Sequence, residues 1–244
     1  MGVGAVFGGA ALEGLHMTAL IQPTAAIIVL GGTFGATFAS FPMKTVLTGF
    51  KDVGKALFPP KVELEGIIKE IIGYAAKARK NGLISLEQDA QKIKDPFTKK
   101  GITLVVDGID PQKLRETLEI EMETFEEHAK GSAEVFEAAG GFAPTIGIIG
   151  AVLGLIHVMN NLSDSSKLGA GIAVAFVATI YGLMTANIFC IPIGTKLKHR
   201  LKEDMLQKQM ILEGLIAIQN GENPHFIEQK LKSFLPDEGK GKKG

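Results

Sequence analysis

Charge is missing from three long stretches of this chain, and that absence decides what it can fold into. No Asp, Glu, Lys or Arg occurs in residues 14–43, 138–163 or 168–195, runs of 30, 26 and 28 residues. A helix needs about 20 apolar residues to cross the roughly 30 Å hydrocarbon core of a bilayer. A buried core helix is the alternative for any single run, but such helices usually span about 8–20 residues and keep one polar face. Three uncharged runs in 244 residues are therefore expected to be membrane spans, at residues 22–42, 138–160 and 167–193. Lipid is the first partner this implies.

Residues 1–12 are also apolar and rich in Gly and Ala, yet as a helix they cover only about 18 Å. They carry no basic segment of the kind that opens a signal peptide. A short fourth span is expected there, the remnant or second half of a first one. Orientation follows from lysine and arginine. Residues 43–138 hold 15 and residues 194–244 hold 10, leaving only Lys167 between the last two spans. The cluster Lys196, Lys198, Arg200 and Lys202 lies directly at a span end, where the positive-inside rule is strongest. Both long charged segments are thus expected in the cytoplasm. The fold class is an all-α integral membrane protein with three clear spans plus a short N-terminal fourth. Its divisions are 1–42 (first two spans), 43–137 (cytoplasmic helical domain), 138–193 (third and fourth spans) and 194–244 (cytoplasmic helix and tail). Formal charge is zero, with 26 basic and 26 acidic residues, so nothing points to nucleic acid.

Within the charged segments, apolar residues at 64, 67, 68, 71, 72, 75 and 76 have helical spacing, and Asn81-Gly82 supplies a stop. Ser85 with Gln88 has the capping-box pattern and predicts a second helix over 86–93, placing Arg79 and Glu87 at the bend of a hairpin. Asp110-Pro111 predicts another start, with a helix running unbroken through Gly131 into the next span. Residues 196–219, with Met205, Leu212 and Leu215 on one side, predict a second long helix. The two would leave the membrane as a stalk. The Gly/Lys-rich tail after Pro236 is expected to be disordered.

The spans hold no acid, lysine or arginine, the usual markers of ion relays. Their titratable ring is His157, read as a near-interface histidine. The lone Cys190 excludes an internal disulfide and reads as a small hydrophobe. No nucleophile–base set, phosphate loop or metal-ligand cluster is present, so neither an enzyme nor a cofactor is expected. What the spans do carry is small residues. Gly147, Gly150 and Gly154 recur at spacings of three and four, as do Ala175, Ala178, Gly182 and Ala186, and such spacing lets membrane helices approach closely. That surface serves packing within the chain, association with copies or partners, or both. Pro144 and Pro192 bracket the last two spans and read either as hinges at a constriction or as span punctuation.

Taken in order, several motifs resemble one family. They are Leu12-Glu13-Gly14, Gln22-Pro23-Thr24-Ala25-Ala26-Ile27-Ile28-Val29 and Gly31-Gly32-Thr33-Phe34-Gly35-Ala36. Next come Arg79, Gly82-Leu83 and Glu87. They close with Gly141-Phe142-Ala143-Pro144-Thr145-Ile146-Gly147, Ala178-Thr179-Ile180-Tyr181-Gly182 and Pro192. The set is similar to the MotA flagellar stator proteins of the MotA/TolQ/ExbB proton-channel superfamily, over nearly the whole chain. The resemblance implies four spans and a ring of five copies around two copies of a MotB-type single-span partner in the bacterial inner membrane. That partner supplies the intramembrane aspartate missing here. Arg79 and Glu87 match charges that face the rotor's switch-complex protein, and Pro144 and Pro192 match prolines near the ion path. Thr179 is kept, while Ala151 and Ala178 stand where sodium-driven relatives tend to have hydroxyls. The transported ion is therefore expected to be H⁺, because dehydrated sodium needs oxygen ligands that methyls do not supply.

Two rivals remain open at this point. An ExbB- or TolQ-like energiser of an outer-membrane system would lack the stretch 22–36 and the Arg79/Glu87 hairpin. A non-conducting membrane scaffold would share the spans and pass no ions with any partner.

Overall fold

The computed structural model describes residues 2–12, 14, 17–58, 63–163 and 165–235. Glu13 and the tail after Pro236 lie outside them. Every regular element among these residues is helical. In chain order they are α1 (Gly2–Leu12), α2 (Pro23–Ser40), α3 (Met43–Leu57), α4 (Leu64–Asn81), the short α5 (Glu87–Ala90), α6 (Pro96–Val106), α7 (Pro111–Met159), α8 (Ser165–Met184), α9 (Ile191–Gln219) and α10 (Pro224–Lys232). A π-helical stretch, Thr185–Cys190, joins α8 to α9 without a break, and a second one, Ile27–Gly31, lies inside α2.

Local chemistry explains three of the helix starts. Asp95, Asp110 and Asn223 each precede a proline, whose missing N–H costs nothing in the first turn. The Asp95 carboxylate accepts from the Thr98 backbone N–H at 2.8 Å, Asp110 from that of Gln112 at 2.9 Å, and Asn223 from that of His225 at 3.1 Å. Each bond satisfies a donor that the helix itself leaves unpaired. The expected capping box at Ser85 does not form. The Ser85 hydroxyl donates backward to the Gly82 carbonyl at 2.7 Å, and residues Leu83–Leu86 form a 3₁₀ turn that buries Leu86 completely. The helix predicted over 86–93 accordingly shrinks to Glu87–Ala90. Gly82 does supply the stop, at φ +81°.

The chain packs as two compact units. The first comprises residues 1–59 and 128–199, the second residues 60–127 and 200–244. These limits mark where packing changes, whereas the divisions at 42, 137 and 193 mark where solvent is expected to change.

Among the described residues, three helices are long and apolar enough to cross a membrane: α2, α7 (49 residues) and the continuous helix Leu168–Gln219. Only 22%, 28% and 33% of their most apolar windows are buried within the chain. Ile148, Ile149, Val152, Leu153, Leu155 and Ile156 make a nearly continuous exposed apolar surface on α7. Water does not tolerate a patch of that kind on a folded chain. Lipid and neighbouring spans must cover it. At 11 residues, α1 does not reach spanning length.

The second unit has an ordinary water-type core. Ile71, Leu86, Phe97, Leu114, Leu212 and Ile227 are among its fully buried side chains, each stabilising by about 1.5–3 kcal/mol when removed from water. The two long helices expected to leave the membrane as a stalk are packed about by further helices here. Residues 210–212 and 215–218 of α9 are all buried, and a helix that is apolar all round must be enclosed. Nor was α6 or α10, which pack around it in this core, foreseen from the sequence. A half-buried charge cluster ties the unit together: Glu213, with 15% of its side chain exposed, accepts from Arg115 and Lys230, each at 2.7 Å.

Burial pushes the Glu213 carboxyl up, but hydrogen bonds and charge from Lys230 and Arg115 outweigh it, so the group ionises below its ordinary value of 4.5. A depressed folded value means the unfolded chain binds more protons as pH falls. The stabilisation is complete above about pH 4.5 and drains as pH drops through the lower folded value. Glu213→Gln is expected to lower the unit's stability by about 1–3 kcal/mol and to flatten that acid limb. Amide hydrogen exchange of α4, α6 and α10 against pH measures both. An acid limb unchanged in the variant would remove Glu213 from the account.

Candidate functional site

The small residues singled out in the sequence converge on one seam between α7 and α8. A β-carbon placed on Gly147 would lie 2.9 Å from the Ala178 carbonyl oxygen and 3.3 Å from the Gly182 Cα. On Gly154 it would lie 2.9 Å from the Ala175 backbone nitrogen, and on Gly182 it would lie 2.5 Å from the Ala143 carbonyl oxygen and 3.2 Å from the Pro144 Cα. These neighbours are backbone atoms, which cannot turn aside as a side chain can. Glycine is required because the helix backbones themselves touch. Packing within the chain therefore claims Gly147, Gly150, Gly154 and Gly182.

Ala178 is fully buried in this seam, with its methyl 2.8 Å from where a β-carbon on Gly150 would stand. It joins Ala25 and Val29 of α2 and Val177 in a small core, so α2 closes the seam from a third side. Thr179 and Ala151 are half-buried. The Thr179 hydroxyl donates to the Ala175 carbonyl at a long 3.3 Å, a bond readily exchanged for a better acceptor.

Pro144 lies inside α7 beside Gly182, half-buried. Proline removes one helix hydrogen bond and frees the carbonyl four residues earlier, here that of Gly140. Against Gly140 pack Cys190 and Ile191, the two residues before Pro192; a β-carbon on Gly140 would stand 2.8 Å from Ile191 Cγ1. Pro192 in turn frees the carbonyl of Ile188, inside the π stretch Thr185–Cys190. A π turn absorbs a helix defect of that kind. The two prolines thus each remove a bond from the α7 and α8–α9 ladders at neighbouring levels, at the foot of the seam. Pro192 itself is exposed. Below it, Lys198 Nζ meets Glu137 Oε1 at 2.6 Å and joins the start of α9 to the middle of α7.

Tyr181 is a structural residue that the sequence reading did not assign. Its hydroxyl donates to the Leu20 carbonyl at 2.5 Å and accepts from the Gln22 N–H at 3.4 Å, so it clamps the start of α2. A lone phenol in an apolar run must find partners when buried, and that requirement was the available signal. His157 is exposed near the opposite end of the seam and borders a cavity of about 280 Å³ with Thr24, Gly154, Gly171 and Val174.

Arg79 and Glu87 are not brought into the seam. They belong to the second unit, at the end of α4 and the start of α5, and both are exposed. Among the described residues neither forms an ion pair, with the other or with anything else. The bond joining their helices is made instead by Lys77 and Asp89 at 2.6 Å. Arg79 and Glu87 are thereby held in place with their charges uncommitted.

Chemically, the seam offers close backbones, one weakly committed hydroxyl and two carbonyls opposite prolines, and among the described residues it contains no Asp, Glu, Lys or Arg.

Comparison with known proteins agrees with this geometry. The MotA/TolQ/ExbB proton channel family matches residues 89–210, and the motility protein A N-terminal family matches residues 1–79. The N-terminal match covers 22–36, the stretch that separates a motility-type chain from an ExbB- or TolQ-like one. Motility protein A of Helicobacter pylori is 36% identical over 93% of this chain and 88% of its own length. Chemotaxis protein PomA of Vibrio alginolyticus is also 36% identical, over 90% of this chain and 86% of its own. Among solved structures, Campylobacter jejuni MotAB superposes with a TM-score of 0.92 at 32% identity, covering 97% of this chain and 93% of the matched one. The MotAB stator complex of Bacillus subtilis gives 0.87 at 33%, covering 96% and 92%. With three helices long and apolar enough to cross a membrane and likeness along nearly its entire length, this chain belongs to the MotA/TolQ/ExbB proton channel family, among the motility protein A sequences.

Proposed function

We propose that the chain is the multi-span subunit of a flagellar stator, which forms a proton path with a MotB-type single-span partner and turns ion-motive force into torque. One observation carries the reading. A tightly closed seam without an Asp, Glu, Lys or Arg stands in a chain of the motility protein A family, which supports a proton carrier supplied by a second polypeptide.

In this reading α1 is the short first of four spans, and residues 43–137 and 194–244 face the cytoplasm, as the distribution of lysine and arginine supports. Five copies ring two copies of the partner, whose intramembrane aspartate binds and releases the ion beside Thr179 and the Pro144–Pro192 foot. Each elementary charge that crosses supplies about 2.3 kcal/mol per 100 mV, which biases bending at that foot. The second unit transmits the movement, and Arg79 and Glu87 bear on the rotor's switch-complex protein. Expression in a stator-deleted cell together with its partner should restore swimming. No restoration, with both chains in the membrane, would sink the proposal.

Protons are the ion of choice in this reading. Ala151 and Ala178 offer methyls, Thr179 a single hydroxyl, and a desolvated sodium ion needs several oxygens. Swimming speed should stay unchanged when external sodium is replaced by potassium, and should collapse with a protonophore. A speed that tracks sodium would reverse the assignment.

A further inference from the structure

At the foot of the three spans lies an apolar cavity of about 340 Å³ that the seam does not use. Its walls come from α2 (Phe34, Thr37), α3 (Phe50), α7 (Phe136) and the π stretch (Phe189). Three of these rings form a chain, with centroids 6.0 Å apart for Phe34–Phe50 and 5.7 Å for Phe50–Phe136. Two of the three threonines in the wall are already committed, Thr33 donating to the Val29 carbonyl at 2.6 Å and Thr37 to that of Thr33 at 2.8 Å. Thr185 and Cys190 add one hydroxyl and one thiol to an otherwise apolar lining, so a polar ligand would find few partners here.

The helix that closes the cavity carries three distinct faces. Val46 and Ala56 are buried, and a β-carbon on Gly49, on the same stripe, would stand 3.4 Å from the Ser132 carbonyl oxygen of α7. Met43, Leu47, Phe50 and Leu57 form a second stripe that is apolar yet 44–60% exposed. Lys44, Thr48 and Lys51 form a third, fully on the surface and bordering the apolar stripe. Neither lysine has an ion-pair partner among the described residues. A helix with an uncovered apolar stripe flanked by lysines lies at a bilayer interface, with apolar residues among the chains and lysines among the headgroups.

We infer that this cavity takes one acyl chain of an anionic phospholipid, whose headgroup lies on Lys44 and Lys51. The position fits. Phe34 and Thr37 are in the last two turns of α2, and Phe189 and Ile193 lie within the last uncharged run, so the cavity sits just inside the hydrocarbon, below the headgroup level. The charge fits as well, because two uncommitted cations select an anionic headgroup over a zwitterionic one. The inference rests on the membrane placement of α2 and α7, and not on the stator reading, so either can fail alone.

The chain contains no tryptophan, which makes a single reporter clean. Phe50→Trp in the full chain, reconstituted in phosphatidylcholine vesicles, is titrated with phosphatidylglycerol brominated in mid-chain, and separately with phosphatidylcholine brominated at the same carbons. The inference expects stronger quenching by the anionic lipid, with a preference of at least about fivefold, the size a single near-surface lysine confers. Phe176→Trp, at a lipid-facing site on α8 that is 69% exposed, should show no preference. Adding Lys44→Gln and Lys51→Gln to Phe50→Trp should bring the two lipids to parity without loss of quenching. Equal quenching at Phe50→Trp overturns the inference, as does an equal anionic preference at Phe176→Trp. Quenching by neither lipid overturns it too, and would mean that protein, such as a second copy of the chain, covers the cavity.

Discussion

Gly182→Val is expected to abolish swimming and proton flux, and Gly182→Ala to reduce both severely. Even the alanine methyl would stand 2.5 Å from the Ala143 carbonyl oxygen and 3.1 Å from the Gly147 Cα, and backbone cannot move aside without separating α7 from α8. Overpacking of this kind costs about 1–3 kcal/mol, and here it falls beside Pro144, where bending is proposed to occur. Gly35→Ala supplies the contrast. A β-carbon there meets nothing within 4 Å, and alanine improves helix propensity by about 1 kcal/mol, so the helix itself should fold and insert unchanged. Flux through the partner complex and swimming speed, normalised to membrane level, measure the difference. Wild-type flux in Gly182→Val would mean the seam is not part of the working path.

Reversing both free charges, Arg79→Glu with Glu87→Lys, should stop swimming while leaving insertion, partner binding and proton flux intact. Both groups are exposed and lack partners among the described residues, so the fold gives up no bond. Each exposed pair is worth up to about 1 kcal/mol, and reversal turns attraction into repulsion of similar size. A reversal of Lys77 is different in kind, because it breaks the 2.6 Å bond to Asp89 and should loosen α4 against α5. Normal swimming by the double reversal would remove Arg79 and Glu87 from torque transmission.

The parts of the fold that were legible in the sequence are those governed by local or solvent-scale rules. Uncharged runs gave three long helices, Asp110-Pro111 gave the start of α7, and Asn81-Gly82 gave the end of α4. The same Asx-Pro signal stood at Asp95-Pro96 and Asn223-Pro224, and would have yielded α6 and α10. The capping-box pattern at Ser85 misled because the hydroxyl had a nearer acceptor in Gly82, and because burying Leu86 decided the geometry. In the site, glycine spacing correctly pointed to close helix approach. Spacing cannot say which surface is approached, however, and only the contacts with Ala143, Ala175 and Ala178 assign the seam to the chain's own α8. The rings of Phe34, Phe50 and Phe136 come from three separate elements, so no sequence period could have joined them.

The proton carrier of this path is borrowed. Vesicles holding the chain with a MotB-type partner should acidify under an imposed potential, and should stop doing so when the partner's intramembrane aspartate is changed to asparagine. Vesicles holding this chain alone should stay tight. Proton flux through the chain alone, or flux that survives loss of the aspartate, would contradict the account.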